Sequence, residues 1–148
     1  MKQLVVILFL VFSVQSYAQK LQTYSFEEVE QLVEKQPRPI LLYFHTDWCR
    51  YCRMMDRTTF SDPEIIEKLN EKYYFISFNA GTKEVVRYKN ELYHFIPKGR
   101  NSGHHELVHH FIKNRQEIYP TLIFLDADFN ELLLLQSYVS SREMLGIL

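Results

Sequence analysis

Cysteine is nearly absent from this chain: 148 residues hold two, Cys49 and Cys52. A secreted scaffold stapled by disulfides would carry more cysteines at wide spacings, so that architecture is excluded. Two cysteines with two residues between them close too small a loop to hold a fold together. An excess of charge of one sign is lacking too. The formal net charge is −1, no basic block or stripe exists to meet nucleic acid, and there is no acidic tail. Nor is there an internal repeat or a low-complexity segment. Apolar and aromatic side chains are plentiful, at 47% and 15% of the residues, enough for a sizeable core and against disorder. The length is that of one domain.

Residues 1–18 read as a targeting segment. Lys2 supplies a positive start, Leu4 to Val14 is an apolar run, and Ser16-Tyr17-Ala18 is a small-x-small cleavage signature that leaves Gln19 as the new N-terminus. The run is shorter than the ~20 residues a spanning helix needs. The expectation is a signal peptide cleaved after about Ala18, export, and a domain over residues 19–148 with no stable membrane insertion. A buried N-terminal element and an uncleaved anchor are the competing readings. No cysteine follows the cleavage signature, which argues against a lipid anchor. In an oxidising compartment the cysteine pair is then either redox-active or a metal holder.

Local signals place the elements. Ser25-Phe26-Glu27-Glu28 is a capping box, and Phe26, Val29, Leu32 and Val33 recur at helical spacing, so a helix runs to about Lys35, before Pro37 and Pro39. Ile40 to Thr46 reads as a buried central strand. A helix is predicted from Cys49 to about Thr59, with Met54 and Met55 inward. Asp62-Pro63 starts another, with Ile65, Ile66 and Leu69 toward the core. Tyr73 to Asn79 is a second strand, joined to the first by a right-handed parallel crossover. Thr82 to Leu92 reads as helical with Val85, Val86 and Leu92 inward, residues 97–103 as a turn-rich loop, and His104 to Lys113 as a helix. Leu122 to Leu125 is a third strand, residues 126–130 a hairpin turn, and Glu131 to Gln136 a fourth strand. Ser140 or Ser141 caps a last helix. The order α-β-α-β-α-β-β-α makes an α/β fold, a mixed sheet of about four strands with helices on both faces.

A Cys-x-x-Cys pair where a buried strand ends and a helix begins is a redox geometry. The free N–H groups of the first helical turn, the helix dipole and the Arg50 guanidinium all favour thiolate at Cys49, lowering its pKa below the ordinary value of ~8.5. Cys49 is therefore the nucleophile that forms a mixed disulfide. Cys52, one turn on, resolves it. Half a zinc site is an alternative, but no second cysteine pair exists and histidines would have to complete it. Haem attachment needs His after the second cysteine, and residue 53 is Arg. An inert pair on a binding module is the third alternative.

The segment Tyr43-Phe44-His45-Thr46-Asp47-Trp48-Cys49-Arg50-Tyr51-Cys52-Arg53-Met54-Met55 resembles the active-site segment of the thioredoxin superfamily. Tyr119-Pro120-Thr121-Leu122-Ile123-Phe124-Leu125 is similar to that superfamily's second signature, a cis-proline leading into a strand. Asp47 to Phe60 with Ser61-Asp62-Pro63 resembles the C-terminal domain of transmembrane disulfide reductases and the periplasmic thioredoxin-like proteins of Bacteroidetes-type bacteria. The resemblance spans about residues 21–148. It implies the thioredoxin fold, a cis Tyr119–Pro120 bond beside the cysteines, and a Tyr119 backbone that pairs with bound peptide. It further implies a periplasmic thiol–disulfide oxidoreductase acting on protein disulfides or thiols, leaning toward reduction, with a membrane-bound electron donor and no cofactor or metal. Catalysis would rest on Cys49 and Cys52, supported by Trp48, Arg50, Tyr51, Tyr119 and Pro120. A non-catalytic binding module or metal carrier is the alternative.

The chain departs from the superfamily pattern in three places. Tyr43 stands where thioredoxins carry a buried acid that helps deprotonate the resolving cysteine. Arg50-Tyr51 replaces the usual Gly-Pro. The stretch before the cis-proline strand is long, an insertion of about residues 82–115, and it holds His94, His104, His105, His109 and His110, five of the six histidines. His105 and His109 are expected to share a helix face, read as polar surface or as packing over a sheet edge, with a metal site as the alternative. His45 could sit near Cys49 and, as a cation, lower the thiol pKa further; packing is its other reading.

Overall fold

The computed structural model describes residues 19–100 and 102–148, so the expected signal peptide lies outside the described residues. The chain runs through α1 (Phe26–Lys35), β1 (Ile40–His45), α2 (Arg50–Arg57), α3 (Pro63–Lys72) and β2 (Tyr74–Asn79). It continues through β3 (Val86–Tyr88), β4 (Glu91–Tyr93), β5 (Phe95–Pro97), β6 (Gly103–His105), α4 (Glu106–Ile112), β7 (Thr121–Leu125), β8 (Glu131–Leu135) and α5 (Ser141–Ile147).

The central sheet has the order β2-β1-β7-β8. β1 pairs in parallel with β2 and antiparallel with β7, and β8 is antiparallel to β7. Alternation along β1 divides the interior in two. Ile40, Leu42 and Phe44 join Phe26 and Val29 of α1 and Leu107, Val108 and Phe111 of α4. Leu41 and Tyr43 face the other way, onto Cys52 and Met55 of α2, Ile65 and Leu69 of α3 and Met144 of α5. Local chemistry starts the helices where expected. Ser25 with Glu28 and Ser140 with Glu143 form capping boxes, and Asp62 caps α3 with Pro63 at its first position.

Three expectations are corrected. Residues 82–92 are not helical: β3 and β4 form a hairpin turning on Lys89 and Asn90, both at positive φ. That conformation at both central residues suits the twist of a two-residue hairpin. Tyr88 and Tyr93 point inward, while Val85 and Leu92 are exposed. A period of two places those tyrosines on one face, and strands of three residues are too short to announce it. Second, residues 103–105 pair with 95–97 as a second hairpin, and α4 begins only at Glu106. Third, Met54 is exposed and only Met55 is buried, because Cys52 and Met55, three apart, share the inner face of α2.

Candidate active site

β1 ends at His45 in the centre of the sheet, and the turn after it delivers Cys49 to the start of α2. The Cys49 N–H donates to the Thr46 carbonyl at 3.1 Å, and the Arg53 guanidinium donates to the Asp47 carbonyl at 2.6 Å. Asn79, at the end of neighbouring β2, donates to the Asp47 carboxylate at 2.9 Å. These bonds hold the approach to the helix from both strands.

Cys49 and Cys52 are joined as a disulfide. Cys49 is the N-cap of α2, and its Sγ accepts the Cys52 N–H at 3.0 Å. A sulfur in that position takes up one of the helix's unpaired donors and faces the positive end of its dipole. Both cysteines are buried, with Cys49 retaining 4% exposure against 1% for Cys52. Trp48 and Tyr51 are strongly exposed, at 75% and 58%, and Arg50 is exposed as well.

The second signature arrives at the start of β7, the strand paired with β1. The Tyr119–Pro120 bond is cis and Pro120 is buried. The Tyr119 ring meets Trp48 edge to face, with centroids 5.9 Å apart. Thus Trp48, Cys49, Cys52, Tyr119 and Pro120 are brought together, while Arg50 and Tyr51 stand outward on the first turn of α2.

Beside Tyr43 and His45 lies an acid that sequence reasoning did not single out, Asp56. Tyr43 is buried, and its hydroxyl donates to the Cys52 carbonyl at 3.2 Å. Asp56, four residues after Cys52 on α2, faces both the Tyr43 hydroxyl and His45. Although Asp56 keeps contact with solvent, partial desolvation raises its carboxyl above the ordinary range, against the opposing pull of His45 and the Tyr43 hydrogen bond. Burial also raises the Tyr43 phenol, with the Asp56 charge adding to it. The only signal for Asp56 was its i, i+4 spacing from Cys52, which repeats one helix face. His45 stacks on Tyr43, and burial lowers its pKa despite Asp56 and Asp47 nearby. The stacking and the direction of that shift favour packing over a cationic role beside Cys49.

The histidines of the long connection also separate. His105 is fully buried: its Nδ1 accepts the Leu107 N–H at 3.3 Å and its Nε2 lies 3.0 Å from the Glu84 carbonyl. It caps α4 rather than sharing a helix face with His109. A depression lined by Glu30, Glu34, Arg87 and Phe129 lies between α1 and the β3–β4 hairpin and touches no residue of the cysteine motif.

Residues 26–148 match the family described as a thioredoxin-like domain. The chain is similar to the thiol:disulfide interchange protein DsbD of Campylobacter jejuni (strain RM1221), 30% identical over 105 residues that make up 70% of this chain and 17% of that relative. The chain thus spans a small part of that relative's length. In fold it is similar to a DsbH oxidoreductase, with a TM-score of 0.63 at 18% identity over 88% of this chain and 83% of the other. It is likewise similar to a putative disulphide-isomerase from Bacteroides thetaiotaomicron, with a TM-score of 0.59 at 15% identity over 88% and 92%. With the sheet order, the cysteine pair at a helix start and the matched residues in agreement, the chain belongs to the thioredoxin-like domain family.

Proposed function

We propose that this chain is an exported, periplasmic oxidoreductase that exchanges disulfides with protein substrates, leaning toward reduction, and draws its electrons from a membrane-bound thiol–disulfide donor. The observation that carries the reading is Cys49 Sγ at the N-cap of α2, accepting the Cys52 N–H, in a pair already joined as a disulfide. Likeness to a DsbD of Campylobacter jejuni supports the class of partner, and the apolar run of residues 4–14 supports export. Among the described residues no helix is long and apolar enough to cross a membrane.

In the reducing direction the donor first delivers two electrons and two protons to the pair, opening the Cys49–Cys52 bond. The Cys49 thiol releases its proton to solvent, and the thiolate then attacks one sulfur of a substrate disulfide. A mixed disulfide forms and the other substrate sulfur leaves as a thiolate. The Cys52 proton passes to a base, and the Cys52 thiolate attacks Cys49 Sγ. The substrate's second sulfur departs, and the Cys49–Cys52 disulfide is restored. Asp56 is the base we assign to Cys52. It is the carboxylate one turn along the same helix face, and its raised pKa keeps it a better proton acceptor than an ordinary carboxylate. It supplies from α2 what Tyr43 does not supply from β1. Exposed Trp48 and half-buried Tyr119 form the apolar lip against which a substrate chain would lie.

The experiment is trapping. Cys52→Ser leaves the mixed disulfide unresolved, so Cys49-linked protein adducts should accumulate in periplasmic extract. Their absence, together with no reduction of insulin by the wild-type dithiol, would refute the reading. Equilibration of the pair against glutathione settles direction within the span of about −270 to −120 mV known for such folds.

A further inference from the structure

Two of the histidines in the long connection converge with an acid, each from a different element. His104 lies on β6, His109 on α4, and Glu117 on the segment that joins α4 to β7. One ring nitrogen of each histidine and one Glu117 carboxylate oxygen all lie within 4.8 Å of one another. His109 Nε2 stands 3.5 Å from Glu117 Oε2, and the two imidazoles meet edge to face at 4.3 Å between centroids. His104 Nδ1 and His109 Nε2 are both shut off from solvent, and neither makes a hydrogen bond. A buried polar atom left unpaired costs about 1–3 kcal/mol, so two at one point call for a shared partner. The position of that partner is between two imidazole nitrogens and a carboxylate.

We propose that His104, His109 and Glu117 form a binding site for a divalent transition metal of the zinc class, one that uses neither cysteine. Two imidazoles and one carboxylate suit zinc and its neighbours, whereas calcium and magnesium take oxygen donors alone. A tetrahedral zinc with bonds of ~2.0–2.1 Å holds its ligand atoms about 3.4 Å apart, close to the separation that His109 and Glu117 already show. Three protein ligands leave the fourth position to water or to a ligand from outside. The Tyr119 hydroxyl donates to the other oxygen of Glu117 and would orient that carboxylate. Lys98 and Glu106, of opposite charge, both face His104.

The disulfide form of the protein is the right one to test, because Cys49 and Cys52 then offer no thiolate. Tag-free protein is titrated with Zn²⁺ by calorimetry and with Co²⁺ by visible absorption. The expected result is one equivalent bound, a Co²⁺ ligand-field band without sulfur charge transfer, and a higher melting temperature in Zn²⁺. His109→Ala and Glu117→Gln should each weaken binding by more than ~10-fold, the least that loss of a supporting group costs a metal site. His94→Ala should leave binding unchanged. Absence of stoichiometric binding, or binding that persists in both His109→Ala and Glu117→Gln, overturns the proposal. The His109 side chain is 43% exposed, and the variants' circular dichroism verifies their fold. No readout here is disulfide exchange, so the site stands or falls independently of the proposed redox function.

Discussion

Asp56 is the residue whose surroundings say most about how the cysteine pair would work. Its carboxyl is raised by desolvation, and it lies against the Tyr43 hydroxyl that bonds the Cys52 carbonyl. If it takes the Cys52 proton, Asp56→Asn should slow resolution of the mixed disulfide by ~10²-fold or more, the usual contribution of a positioned base. Attack by Cys49 should change far less. Stopped-flow separation of the two steps checks this, and equal slowing of both would remove Asp56 from the mechanism. The same group has a stability consequence. A folded pKa above the unfolded one means that the native state favours the protonated carboxyl. Its contribution is fully present below the ordinary carboxylate pKa and is lost as pH rises through the raised value. Asp56→Asn should therefore raise the melting temperature at pH 7 more than at pH 3, by thermal denaturation of the disulfide form.

At the scale of elements, α2 shows how one face of a short helix is decided. Met55 is fully buried against Tyr43 and Cys52, while Met54 is exposed. Met55→Ala should cost about 2–5 kcal/mol, and Met54→Ala should stay within ~0.5 kcal/mol, as read from denaturant unfolding. The β5–β6 hairpin depends on a different kind of fit. A Cβ on Gly103 would stand 2.3 Å from the Phe95 ring and 2.6 Å from the Ile96 carbonyl oxygen. Part of that conflict is with backbone, so the strand itself must move. Gly103→Ala should destabilise the protein by about 1–3 kcal/mol and increase amide exchange through residues 95–105, with β1 and β7 unaffected.

Taken whole, the molecule is one sheet between two cores, and three histidines distribute its response to acid. Burial lowers the pKa of His45, His105 and His110, each from a different packing environment. A folded pKa below the unfolded one gives stability that is present above the unfolded value of ~6.5 and lost as pH falls through the folded values. The melting temperature of metal-free protein should accordingly be flat from pH 8 to 7 and fall from pH 6.5 to 5. A flat profile across that range would mean that these imidazoles are no more buried than in the unfolded chain. Redox state adds a second dependence. The helix N-terminus at Cys49 favours thiolate, so the reduced form should gain stability over the disulfide form as pH rises toward ~8.5.

The sequence by itself determined whatever short-range chemistry controls: the capping boxes at Ser25 and Ser140, Pro63 at the start of α3, the apolar run of β1, and the Cys49–Cys52 spacing at a helix start. Each is decided within a few residues, by an orphan N–H, a missing one or a side-chain period. Two hairpins of three-residue strands were not legible, because so brief an alternation does not stand apart from a helical one and their pairing is a contact between segments. Only the tertiary structure brought Tyr119 and Pro120 to Trp48 and buried His105 while leaving His104 beside His109 and Glu117. It also set Asp56 beside Tyr43 and His45. Those placements depend on how separate elements cross one another, and burial then settles which groups stay charged. The cysteine pair was thus visible from its spacing alone, whereas the acid that would serve it and the ligands that would bind a metal exist as groups only once the sheet has folded.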